Sequence, residues 1–204
     1  ISKAKIDYDN KSELIDSLNE NFSLMSSFKF KKDKGKVFFK TESGKELSLH
    51  LASSAIKTNF ALWVYLAQMN KKANLLMIDE PELNLHPDAQ RLMARLIVYL
   101  VNNGIKVAVS THSDYFIKEI NSLIMLKNSF EEKDDILQRY GYKGFDSLDA
   151  DKVIAYHFKN GTAEKMLIEQ NSGIQADTFD DVSNMLNAAY NDIYWAINSE
   201  SIIN

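Results

Sequence analysis

Apolar and polar positions follow two periods along the 204-residue chain, and each change of period marks a new element. Leu14, Leu18, Phe22 and Met25 recur at helical spacing behind Ser12, which predicts a capped helix over 12–25. The next segment, "KFKKDKGK", reads as a lysine-rich loop. "KVFFK" and "ELSLHL" then flank "TESG", predicting a β-hairpin with Gly44 in its turn. "ASSAIKTNFALWVYLAQMN" opens on a serine pair suited to capping. It is apolar nearly all round from Phe60 to Ala67, so a deeply buried helix is expected.

Residues 74–78 hold four consecutive apolar side chains from Leu75, the pattern of a strand buried on both faces. Pro87 can open the following helix at its first position, Leu92, Leu96 and Leu100 give it an apolar stripe, and Gly104 ends it. A second apolar strand, "IKVAVS", stops at Ser110; a short helix over 115–120 should lead to a third strand, "LIML". Strands alternating with helices through short links predict a right-handed parallel unit. Further on, the charged residues 131–139 suit a surface helix, and Asn160-Gly161 between "KVIAYHF" and "EKMLIE" marks a second hairpin. Thr178 is expected to cap a last helix with Val182, Met185, Leu186, Ala189, Ile193 and Ile197 on one face.

Composition narrows the classes. Hydrophobic residues at 45% and charged ones at 25% describe an ordinary globular chain with a full core. A net charge of −4 provides no overall field for nucleic acid. With no cysteine there is no disulfide scaffold, thiol catalysis or cysteine metal site. No signal peptide or long apolar span is visible, so a cytoplasmic protein without a membrane partner is expected. The sequence starts at Ile1 rather than Met, which suggests a piece of something longer.

Chemistry concentrates where the first strand ends, in Asp79-Glu80-Pro81-Glu82. Unpaired acids are costly to bury, so they belong at an exposed strand tip, where open α/β sheets bind ligands. An apolar strand closing on Asp-Glu is a Walker B pattern. Its aspartate helps hold Mg²⁺ on a nucleotide phosphate, usually through water, and its glutamate orients or deprotonates the attacking water. His112 follows the next strand in "VAVSTHSD"; between parallel neighbours it would lie near Asp79 and Glu80, able to donate to a γ-phosphate.

"LLMIDEPELNLHP" followed by "VAVSTHSDYFI" resembles the C-terminal half of an ABC-class ATPase domain, in the soluble branch with the OLD-type, SMC-like, recombination and phage-defence ATPases. The resemblance is specific over 49–126. It implies an α/β fold of the P-loop NTPase class: a C-terminal lobe with a mainly parallel sheet flanked by helices, plus β-hairpins and a C-terminal helix. The chain would divide into 1–48 (helix and hairpin), 49–127 (core) and 128–204 (hairpin and helix). Asp79 would be the Walker B aspartate on Mg²⁺, Glu80 the catalytic glutamate and His112 the switch histidine. Asn84 and His86 would fall in the D-loop that meets a partner subunit. The stretch 51–57 aligns with the signature motif, with Ser53, Ser54 and Lys57 as nucleotide-facing residues; a helix N-terminus there favours an anion. Ala55 stands where the family has glycine, and from the residues alone Ser53 and Ser54 also fit a plain helix cap.

Within the 204 residues there is no G-x-x-x-x-G-K-[ST] phosphate loop. The implied function is therefore the C-terminal part of an ATPase whose phosphate loop lies upstream. It would hydrolyse ATP between two heads of a homodimer to drive a DNA-related or defence effector. The alternative is a non-catalytic dimerisation or partner-binding module. Lysines 29, 31, 32, 34 and 36 suit either DNA phosphates or a hydrated loop. Asp149 and Asp151 read as a solvated loop, and His50 and His157 as structural residues within strands.

Overall fold

The computed structural model describes residues 16, 18, 20–22, 29–33, 36–40, 44–68, 75–175 and 177–199. The first sheet is antiparallel, ordered β1 (Lys29–Asp33), β2 (Lys36–Lys40), β3 (Glu46–Ser48). The segment expected as a lysine-rich loop is thus largely a strand, paired antiparallel with β2 in a register that sets position 30 opposite 39. Gly44 takes a φ of 82° ahead of β3, and His50 lies in a 3₁₀ turn, Leu49–Leu51, rather than a strand.

Helix α1 (Ser54–Gln68) buries Asn59, Leu62 and Leu66, whereas Ala61 and Tyr65 are exposed. One face of α1 is covered among the described residues, not the whole circumference expected. Its apolar surplus therefore remains accessible on the other side.

The parallel unit pairs β4 (Leu76–Asp79) with β5 (Val107–Ser110), Leu76 opposite Val107 and Asp79 opposite Ser110. Between them runs α2 (Pro87–Asn102), with Pro87 at its start and Gly104 at φ 85° just beyond its end. The β4 expectation needs correction. Leu76 is buried and Ile78 packs against the core, but Met77 is 75% exposed. A strand of period two has one covered face here.

Helix α3 (Asp114–Met125) absorbs the third strand that "LIML" predicted. Phe116, Ile120, Leu123 and Ile124 recur at helical spacing and are all buried, and no Gly or Pro interrupts 115–125. The core cluster gathers Leu18 and Phe22 with Leu76, most of α2 and this α3 face. The helix expected over 12–25 is helical at 16, 18, 20 and 21, while Ser12, Leu14 and Met25 lie outside the described residues.

Helix α4 (Lys133–Tyr140) buries none of its side chains, as expected of 131–139. A hairpin joins β6 (Tyr156–Lys159) to β7 (Thr162–Lys165) through Asn160 and Gly161, both at positive φ (52° and 77°). His157 sits in β6, half-buried. Asp149 caps a 3₁₀ turn, Ala150–Lys152, by accepting from the Asp151 amide at 3.2 Å. A small pair, β8 (Ile168–Glu169) and β9 (Gly173–Ile174), is clamped to α3 by Asn121, whose side chain meets both polar backbone atoms of Ile174. Gly173 has φ 79°, and a Cβ there would lie 2.5 Å from the Asn121 side chain, so only glycine fits.

The last helix is α5 (Asp177–Ser199), so Thr178 is inside it rather than before it, with its side chain outside the described residues. The side chains of Met185, Leu186, Ile193 and Ile197 are exposed, and that of Val182 is not described. No helix among the described residues is long and apolar enough to cross a membrane.

Candidate functional site at the parallel strand tips

Parallel pairing in register brings the ends of β4 and β5 side by side. The Glu80 amide donates to the carbonyl of Ser110 at 3.1 Å and approaches its hydroxyl oxygen at 3.3 Å. The Ser110 hydroxyl donates in turn to Asp79 Oδ1. Asp79 is exposed, and among the described residues only its Oδ1 is engaged, which suits a hydrated divalent cation with hard oxygen ligands.

Glu80 has φ 44°, in the left-handed region that costs a non-glycine residue on the order of 1 kcal/mol or more. That backbone turns its side chain out of the strand alternation, and Glu80 Oε1 lies 3.7 Å from His112 Nε2. The two side chains are 36% and 86% exposed, so both face an open surface. Of the acids expected near His112, Glu80 meets it, while Asp79 is engaged by Ser110.

The chain turns sharply after Glu80. The Leu83 amide donates to the Glu80 carbonyl at 2.9 Å, and that of Leu85 to Glu82 at 3.0 Å. Asn84 adopts φ 61° within this turn and is exposed. His86 ends it as the N-cap of α2; its Nδ1 accepts from the Asp88 amide at 3.5 Å and is 3.6 Å from Asp88 Oδ2.

Ser53 precedes α1, and its hydroxyl oxygen accepts from the Ile56 amide at 3.4 Å, so the geometry includes the cap. Ser54 begins the helix, with its side chain outside the described residues. Lys57 is exposed beside a cavity of about 340 Å³ with Val37, Ser48, Leu49 and His50. Among the described residues, neither Ser53 nor Lys57 bonds to Asp79, Glu80 or His112. Lysines 29, 31 and 32 fall in β1 and 36 in β2, but their side chains, and all of Lys34, lie outside the described residues.

Several residues of the site carried no assignment from sequence. Glu82 is 6% exposed, and its Oε1 accepts from the Thr111 hydroxyl at 2.5 Å and the His112 amide at 3.1 Å. Ser110 anchors Asp79, and Gln90 links Ser113 to the Leu85 carbonyl. The third acid of Asp-Glu-Pro-Glu is Glu82, visible in the sequence though its role was not; the others depended on contacts between distant segments.

Away from the tips, Glu119 is 3% exposed on α3 and binds Arg91 at 2.7 Å and Arg95 at 2.5 Å, both from α2. The hydrogen bond to Glu119 raises the Arg91 pKa, burial opposing it. Arg95 also donates to the Gly141 carbonyl at 2.9 Å, lies 4.2 Å over the Tyr142 ring and approaches Asp146 at 3.9 Å. Burial pushes the Asp146 carboxyl above its ordinary value, outweighing the Lys143 amide and Arg95.

Comparison with known proteins defines the family. The model of the AAA ATPase domain matches residues 1–117, more than half of the chain. The chain belongs to the AAA ATPase domain family. It is 31% identical over 96 residues to the "OLD nuclease" of Thermus scotoductus, a match covering 47% of this chain and 17% of that protein. The chain thus spans a small part of its curated relative. A solved structure from work on ATP-driven dimerization and DNA-stimulated activation of SMC ATPases superposes with a TM-score of 0.50. It has 12% identity and covers 83% of this chain and 93% of that one. The family match and the superposition together give the chain the P-loop NTPase fold.

Proposed function

We propose that this AAA ATPase domain supplies the Walker B side of an ATP-hydrolysing site. Asp79, held by Ser110, would bind Mg²⁺ through water, and the ion would offset charge on the phosphates. Glu80 accepts a proton from the attacking water and aims it. His112 donates a hydrogen bond toward the γ-phosphate oxygen as charge accumulates there. The observation that carries this reading is the convergence of Glu80 and His112 to 3.7 Å across two parallel strand tips, with Glu80 in a left-handed conformation.

The 204 residues contain no G-x-x-x-x-G-K-[ST] motif, so in this reading the β- and γ-phosphates would take their cradle from outside them. In the finer reading two heads form a homodimer around ATP. Ser53, Ser54 and Lys57 of one copy then face the Asp79–Glu80–His112 set of the other, and Asn84 and His86 lie at the junction. Closing of such a dimer would act on DNA or an effector protein in the cytoplasm, with phage defence as the process.

The test is turnover in the full-length protein. Glu80→Gln should leave Mg²⁺-dependent ATP binding intact and lower kcat by roughly 10²–10⁴-fold, the range for losing a general base. Near-normal kcat would remove Glu80 from this role. Wild-type protein that binds no ATP would favour the non-catalytic, partner-binding reading.

A further inference from the structure

The His112 side chain is 86% exposed, so little packing fixes its imidazole. Its backbone is held instead. The His112 amide and the Thr111 hydroxyl both donate to one atom, Glu82 Oε1, at 3.1 and 2.5 Å. Glu82 is 6% exposed, and its Oε2 is buried with no hydrogen-bond partner among the described residues. A buried carboxylate with an unsatisfied oxygen is costly, and such groups are rare unless their position serves something else.

The contacts close into a ring. Thr111 Oγ1 accepts from the Ser113 amide at 3.1 Å, and the Ser113 hydroxyl donates to Gln90 Oε1 at 2.5 Å. Gln90 Nε2 donates to the Leu85 carbonyl at 2.9 Å, back in the turn that holds Glu82. The same Ser113 oxygen accepts from the Phe116 amide at 3.1 Å and caps α3. The turn after β4 and the loop after β5 are therefore cross-linked at both ends.

We infer that Glu82 is a positioning residue: it latches the 111–113 loop to the 81–86 turn and so sets the His112 imidazole on Glu80. This rests on the reading of His112 and Glu80 as ATPase residues. A contact made to the 81–86 turn by a second protein surface would reach His112 through the Glu82 carboxylate.

The experiment compares Glu82→Ala, Glu82→Gln and Thr111→Val in the full-length protein, by amide hydrogen exchange over 111–114 and by steady-state ATP turnover. Hydrogen bonds to a carboxylate are strong enough that losing them should speed exchange at these amides by roughly 10- to 100-fold in Glu82→Ala. In the same variant kcat should fall by roughly the same factor with KM for ATP within about threefold, since positioning is lost rather than binding. Glu82→Gln keeps an acceptor oxygen and should restore most of both. Thr111→Val removes one donor to the carboxylate and also the acceptor of the Ser113 amide, so in that variant the His112 amide alone is read; it should show the exchange effect in smaller degree if Glu82→Ala does not fold. Unchanged exchange over 111–114 in the substituted proteins overturns the latch. Faster exchange with wild-type kcat overturns the positioning of His112. If wild-type protein turns over no ATP, the ATPase reading fails separately, and the exchange measurement still decides whether Glu82 holds the loop.

Discussion

Glu80 and Ser110, 30 residues apart, are joined by a backbone bond of 3.1 Å that extends the β4–β5 ladder one residue beyond the strands. At that bond Glu80 takes φ 44°, with its carboxylate 3.7 Å from His112. A glutamate is a poor choice for this conformation, and glycine would adopt it freely. Glu80→Gly should therefore be as stable as the wild type or more stable by up to about 1 kcal/mol in urea unfolding, while losing ATP turnover. A variant destabilised by more than about 1 kcal/mol would show that the carboxylate supports the fold rather than straining it.

Arg95 is the centre of the buried charge network between α2 and α3, with Glu119, Asp146, Tyr142 and the Gly141 carbonyl all around it. Arg95→Ala leaves buried Glu119 with Arg91 and a long bond from the Tyr142 hydroxyl at 3.5 Å, and removes the stacked guanidinium. Breaking such a pair from one side should cost roughly 3–5 kcal/mol in denaturant unfolding. A cost under about 1 kcal/mol would mean that Arg91 and Tyr142 suffice to satisfy Glu119.

Asp146 supplies a pH dependence of known sign. Burial raises its folded-state pKa above the ordinary 3.8, so the folded state binds its proton more tightly than the unfolded state. Stability from this group thus falls as pH rises from 3.8 through the folded value, and the ionised carboxylate is a net cost at neutral pH. Asp146→Asn keeps an oxygen for the Lys143 amide, now met at 2.7 Å, without the charge. The variant should be more stable than wild type at pH 7, and the gap should close as pH is lowered toward 3.8. A gap that is constant or widens on acidification would contradict the assignment.

The head-to-head reading makes a mixing prediction. Ser53→Arg and Glu80→Gln should each inactivate a homodimer of the full-length protein, while heterodimers carry one site with both normal residues. Turnover should return on mixing, well above either variant alone. Subunits shown to exchange without any return of activity would leave Ser53 as the helix cap that its bond to Ile56 describes.

What was legible in the sequence were the features set by local pattern. The β4 tip could be found because apolar residues stop abruptly at Asp79, and Asn160-Gly161 because a two-residue turn demands positive φ. His112 was legible because parallel strands joined by one helix bring equivalent ends together. "LIML" was misread because four apolar residues fit a buried strand or a buried helix turn equally well. The spacing back to Phe116 and Ile120 decides for the helix. The exposure of Met77 was not legible, since the apolar run did not reveal that one face lacks a cover among the described residues. Nor was the role of Glu82, because a carboxylate is identified by what it meets, and Thr111 lies 29 residues away.

The central claim is that Glu80 and His112, 3.7 Å apart, act as one unit in ATP hydrolysis. A double-mutant cycle on kcat tests it, with Glu80→Gln, His112→Ala and the double variant in the full-length protein. If the two work together on one transition state, each single change should cost roughly 10²-fold or more. The double variant should then be only slightly slower than the worse single one, because residues acting as a unit are non-additive. Losses that multiply in the double variant, or a His112→Ala protein with wild-type kcat, would contradict it.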